Sequence, residues 1–118
     1  MKERLFNILN SIYPNKVFLQ GTIDENEDYP DSFITFFTDD TEDRDFFNNN
    51  VNSINWTFSV IFYSSDPQLI SVVPDEITTA LKAQGFIPQG RGRDVLSDVP
   101  THTGWAMEFI ITEYINNN

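Results

Sequence analysis

His102, in Thr101-His102-Thr103-Gly104, is the one histidine of the chain. A lone imidazole can act as a general base, but there is no Cys for it to activate and no second His to share a metal. A loop or structural role is the expectation. The carboxylates Asp39, Asp40, Glu42, Asp43 and Asp45 have the density of a calcium loop. An EF-hand register needs Gly at its sixth position and a helix on either side, and neither is signalled here. Paired-carboxylate hydrolysis needs two acids opposed across a cleft, an arrangement that lies beyond linear spacing. No catalytic residue, cofactor or metal site is therefore expected, and the chain is not expected to be an enzyme.

The segment Gln89-Gly90-Arg91-Gly92-Arg93-Asp94 is of another kind, because it sets two of the seven bases beside two glycines in an acidic chain. It lacks the Gly-Lys-Ser/Thr ending of a P-loop. Either it is a solvated, glycine-loosened loop, or it is a mobile finger that lays guanidinium groups on carboxylates or phosphate. The matching carboxylates are present in another copy of the same chain. Arg91 and Arg93 on one side, and Asp39, Asp40, Glu42 and Asp43 on the other, are thus the candidate partner or subunit contacts.

The net charge of -11 on 118 residues argues against binding nucleic acid by phosphate neutralisation, which needs clustered Lys and Arg. Ten of the eighteen acids lie between Asp24 and Asp45, with Arg44 the one base among them. Such a surface repels DNA, keeps monomers soluble and favours basic partners. The length fits one domain, residues 1–118, that can bury a core without disulfides. No apolar run is long enough to span a bilayer, so no membrane is expected. Met1-Lys2-Glu3-Arg4 leads into an amphipathic stretch rather than the apolar core of a secretory signal, so the chain is expected to stay in the cytoplasm that makes it.

The elements that must position these groups follow from periodicity. Residues 1–13 read as a helix with Leu5, Ile8, Leu9 and Ile12 on one stripe, stopped by Pro14 and Asn15. Residues 17–19 form a short strand, and residues 22–31 an acidic loop with Tyr29-Pro30. Strand 32–38 puts Phe33, Thr35 and Phe37 on one face and Ile34 and Phe36 on the other. Residues 39–53 are expected as an acidic loop, either a long hairpin connection or a loop holding a marginal strand. In strand 54–63, Trp56, Phe58, Val60 and Phe62 alternate with Thr57, Ser59, Ile61 and Tyr63.

Asp66-Pro67 opens a second helix carrying Leu69, Ile70, Val73, Ile77 and Leu81. Pro74 makes it one kinked helix or two short ones. Gly85 closes it, with Phe86 packing back, and Phe86-Ile87 adds a short strand. Residues 88–104 are expected as a flexible loop, 104–114 as the last strand and 116–118 as a frayed tail. The order is α-β-β-β-α-(β)-β, an α+β fold with a curved, mainly antiparallel sheet of about four strands and both helices on one face. The other face would still expose Phe and Ile from 32–38 and 54–63, a patch suited to subunit packing.

Ser65-Asp66-Pro67 before a helix, Ala80-Leu81-Lys82-Ala83-Gln84-Gly85-Phe86-Ile87-Pro88, Gly90-Arg91-Gly92-Arg93-Asp94-Val95 and Asp98-Val99-Pro100-Thr101-His102-Thr103-Gly104 resemble the small neck proteins of long-tailed phages and prophages of Gram-positive bacteria. These are termed tail-completion, tail-terminator or minor head-tail joining proteins. The likeness runs over nearly the whole chain as pattern; residues 84–104 carry its specific part. It implies a sheet flanked by helices, a hexameric ring that caps the tail tube or joins it to the head, and no catalytic residues. It also implies contact with a tail tube protein and a head-connector protein, DNA passing through the lumen without specific binding, and a place in the virion. The departure is Arg91 and Arg93, which would brake DNA if they lined the lumen and so belong at contacts. An acidic inhibitor that mimics DNA and blocks a nucleic-acid-binding protein is the alternative, since it accounts for the charge equally well.

Overall fold

The computed structural model describes residues 1–20, 30–47 and 50–115, with backbone alone at 45–47 and 50–51. Eight elements follow one another: α1 (Lys2–Ile12), β1 (Val17–Leu19), β2 (Ser32–Phe47), β3 (Asn50–Ser64), α2 (Pro67–Ala83), β4 (Ile87–Pro88), β5 (Arg93–Leu96) and β6 (Thr103–Tyr114). The sheet runs β1-β2-β3-β6-β4, with β5 also on β6. Only β1 on β2 is a parallel pair; the other described pairs are antiparallel. The α+β class with two helices on a sheet holds, but the strands number six rather than about four.

Local chemistry sets the helix ends. Asp66 caps α2 by accepting from the Gln68 N–H at 2.9 Å, and Pro67 takes the first helical position, where its missing N–H costs nothing. The helix continues through buried Pro74 as one element. At its far end Gly85 adopts φ +92°. The Gly85 N–H bonds the Lys82 carbonyl at 3.1 Å and the Phe86 N–H bonds the Leu81 carbonyl at 3.0 Å. This six-to-one closure turns Phe86 back into the core, where it is 1% exposed. Helix α1 ends where Asn15 takes φ 63°, with its N–H held by the Asn10 side chain at 3.0 Å.

One face of the sheet meets both helices. Ile34 and Phe36 of β2, Phe58, Val60 and Phe62 of β3, and Met107 and Phe109 of β6 form a single buried cluster with Leu5, Leu9, Val73, Ile77, Leu81 and Phe86. Period two along β3 dictates this: its even-numbered residues from Trp56 to Phe62 face the helices. Tyr13 packs on Phe62 and Trp56 stacks on Phe58, with ring centroids 5.5 and 5.6 Å apart.

Three expectations are corrected. Of the expected loop 39–53, residues 39–47 and 50–53 are strand: β2 and β3 pair from Ser32↔Ser64 out to Phe47↔Asn50, making one long hairpin. Sixteen residues at about 3.3 Å each span roughly 50 Å, in keeping with the 53 Å length of the molecule. Asp and Asn obscured the strand because an outer strand as exposed as Asp39–Arg44 needs no apolar alternation. Residues 88–104 are not one flexible loop either, since they hold β5 and the start of β6.

The far face of the sheet is, finally, not an exposed apolar patch. Phe33 and Ile61 are 3% and 7% exposed. Phe33 stacks on Tyr63 at 5.1 Å and meets the rings of Phe18 and His102 at 6.3 and 5.9 Å. Of the expected loop 22–31, residues 22–29 lie outside the described residues, as does the tail 116–118.

Phe58 and Phe62 are fully buried. Truncation of either to Ala is expected to lower stability by about 3–5 kcal/mol, read by chemical denaturation. A loss below about 1 kcal/mol at both would mean that the strand faces are assigned the wrong way round.

Candidate functional site

Strand alternation sorts the sequence-predicted charges onto two faces. Thr41 pairs with Trp56, which packs on the core, so Thr41 and Asp43 face the helix side. Asp40 and Glu42 therefore face away. Asp39 sits in the register shift between Thr38 and Asp40, a bulge that bends the arm at its root. All of Asp39–Arg44 is exposed. Arg44 makes a 3.5 Å ion pair with Glu42, both side chains more than half exposed. Such a pair contributes little to stability. A calcium loop would gather its carboxylates around one point, whereas this strand spreads them along a line.

The two arginines are separated as well. Strands β4 and β5 both pair with β6, and both run antiparallel to it. Ile87 and Pro88 face Ile110 and Phe109, while Arg93 to Leu96 face Ala106 to Thr103. They are one interrupted edge strand in which Gln89–Gly92 bulges out by two residues. Gly92 has φ +108°, and a Cβ there would strike the Trp105 indole and come within 2.6 Å of the Ala106 carbonyl. Trp105 Nε1–H donates to the Arg91 carbonyl at 3.0 Å. Gly92 thus serves a tight approach to Trp105, and the segment is not a wholly free finger.

Beyond this turn, Arg93 faces outward beside Ala106. Arg91 stands with Asp94, Lys82 and Asp75 around a cleft of about 710 Å³ between α2 and the edge strand, floored by Trp105. The bulge puts one guanidinium on each face.

On the outer face β6 adds a residue that spacing alone did not single out. Glu108 is hydrogen-bonded to Asp39 across the sheet. That bond, desolvation and the Asp39 charge push its carboxyl above the usual range, while Arg93 nearby pulls it down. Asp39, Glu108 and Arg93 therefore form one charged group on an open sheet surface rather than in a cleft. The signal was available: Glu108 lies between core residues Met107 and Phe109, so period two sends it to the other face.

His102 is 8% exposed. Its Nε2–H donates to the Pro30 carbonyl at 2.8 Å, and Nδ1 lies 3.0 Å from the Thr101 hydroxyl. Its hydrogen bonds pin the segment before β6 to the start of β2. Among the described residues no three His, Asp or Glu side chains are grouped as a metal ion would require.

The chain matched none of the protein-family models with which it was compared, and no curated protein matched it.

Two measurements check this geometry. Gly92→Ala is expected to cost about 1–3 kcal/mol from its backbone conformation alone, with more from the collision with Trp105. Gly90→Ala, at φ +78° with open space around it, is expected to cost about 1 kcal/mol. Thermal melts of the two variants compare them directly.

Glu108→Gln is expected to stabilise the protein at neutral pH. A carboxyl whose folded pKa is raised contributes stability that is full below the unfolded pKa and is lost as pH rises through the folded one. Gln keeps the neutral form throughout. The melting temperatures of variant and wild type should therefore converge below pH 4 and separate above the ordinary Glu range.

Proposed function

We propose that this chain is a structural subunit of the neck of a long-tailed phage, assembling into a ring that completes or terminates the tail tube and joins it to the head. The observation that carries this reading is the hairpin arm. Strands β2, β3 and β6 continue past the helical layer, and the outer one, β2, carries Asp39, Asp40, Glu42 and Asp43 on a domain of net charge -11. An acidic projecting element suits a channel through which DNA slides without sticking, because phosphates are repelled at every point. The likeness of residues 84–104 to phage neck proteins supports the same reading. The surface for neighbours lies at the sheet edges, since the second sheet face is filled by the chain's own rings.

The DNA-mimic alternative is less well supported. A mimic lays carboxylates in rows over one broad surface, whereas the β2 acids divide between two faces and one of them is paired with Arg44.

Native mass spectrometry and sedimentation of the purified chain over a range of concentrations test the proposal. A closed oligomer, visible as a ring by electron microscopy and binding the ends of tails, is expected. A monomer or dimer that instead captures a DNA-binding protein and inhibits it would replace the ring with the mimic.

A further inference from the structure

The two edges of the sheet differ in charge. Beyond Leu19, which reaches only to Phe36, no described strand covers the outer side of β2 from Phe37 to Phe47. This edge carries Asp40, Glu42 and Asp43 with one base, Arg44, all exposed. At the opposite edge, β4 and β5 have no described strand on their outer side, and this edge carries Arg91 and Arg93. Apolar side chains flank both edges. Leu19 is 42% exposed beside β2, while Ile87 and Leu96 are 59% and 96% exposed on the other side. A sheet edge with unpaired N–H and C=O groups is a template for another strand.

We propose that the acidic β2 edge of one copy takes the basic β4–β5 edge of a second copy, extending the sheet head to tail. The inference deepens the ring reading of the preceding section and rests on self-assembly of the chain. Three observations converge on this one occupant.

The first is strand sense. Strand β3 is antiparallel to β2, β6 to β3 and β5 to β6, so β5 runs opposite to β2. Copies in the same orientation, displaced along the strands by the six β3 positions from Ile61 to Asn55 (roughly 20 Å), therefore bring β5 of one against the uncovered part of β2 of the next as an ordinary antiparallel ladder. The second is charge: two β2 edges repel each other, two β4–β5 edges offer Arg91 and Arg93 no carboxylate beyond Asp94, and the unlike combination attracts most strongly. A contact between two different patches is heterologous, and it yields a ring where the rotation closes.

The third is register. Residues opposed in a ladder share a face. Arg93 and Glu42 both face away from the helices, and Asp94 and Thr41 both face toward them. Setting Arg93 opposite Glu42 therefore sets Asp94 opposite Thr41, with Asp40 and Arg44 diagonal to Arg93, so that Glu42 is shared between Arg93 and its own partner Arg44. Asp94 then avoids Asp43. Arg91 stands on the helix side, the side that Asp43 faces. Each guanidinium thus meets a carboxylate on its own face, and the bulge at Gln89–Gly92 is what divides them.

A charge swap tests the pairing. Arg91→Glu with Arg93→Glu reverses one edge, and Glu42→Lys with Asp43→Lys reverses the other; all four positions are exposed. Each double variant alone should need at least tenfold more protein than wild type to assemble. A one-to-one mixture should assemble again, with the two variants alternating and closing only in even-numbered rings, as native mass spectrometry would count. Circular dichroism and thermal melts establish that each variant is folded. Wild-type assembly should also weaken between about 0.05 and 0.5 M salt, a readout that needs no variant.

Normal assembly of both variants, or salt-independent assembly of wild type, would overturn the edge pairing and leave a ring built otherwise. Open chains that vanish in each variant and return on mixing would support the edge and overturn the ring. A wild-type monomer at every concentration would overturn both.

Discussion

Strand β3 is the element on which the rest of the molecule depends. It pairs with β6 along twelve residues, Ser53 to Ser64, and with β2 from root to tip. Its alternation therefore decides the face of every residue in the three long strands. Because Phe58, Val60 and Phe62 face one way, Ile34, Phe36, Met107 and Phe109 must face the same way. Thr57, Ser59, Ile61, Ala106 and Glu108 must face the other. A one-residue slip would expose the aromatic set and bury Glu108. The helices cover the face that β3 has made apolar.

That constraint also fixes where the sheet can be polar. Beyond Trp56 the helical layer stops, and from Asp39 to Arg44 β2 is exposed. The bulge at Thr38/Asp40 falls at this boundary and lets the strand leave the core without carrying its apolar register into water. The same boundary brings Asp39 beside Glu108. Two carboxylates there are electrostatically unfavourable, and Arg93 offsets part of the cost from the neighbouring strand. The charged group on the outer face is thus a consequence of where the core ends.

Much of the fold was legible in the sequence wherever local chemistry decided it. Asp66-Pro67, Gly85-Phe86 and the β3 alternation each contain their own reason, and each forms as expected. The arm was misread because its residues match no apolar period; its strands exist through pairing with each other, which no single segment records. Strand β5 was missed for a related reason. Four residues after Gly92 show no pattern of their own and are held by β6. The far face was misjudged because Phe33 is covered by Phe18, Tyr63 and His102, rings distant in sequence that only the folded chain assembles. Of the candidate contacts, the residue types were legible but their division between faces was not, since that needs the register on both sides.

Open edges are a hazard in any small sheet protein, and the usual remedies are charge, bulges and short edge strands. This chain has all three: acids on β2, bulges at Thr38/Asp40 and Gln89–Gly92, and a two-residue β4. Taken alone they describe a protein defended against aggregation. Placing opposite charges on the two edges adds something a purely defensive design does not require. Uniform acid would block every edge pairing equally well, and a chain of net charge -11 had ample acid to supply. The two arginines instead fall on the edge opposite the acids, one on each face and held at that spacing by Gly92 against Trp105. On the proposed reading the same charges that forbid like edges to meet select the unlike one. Protection from aggregation and choice of neighbour then follow from a single electrostatic arrangement.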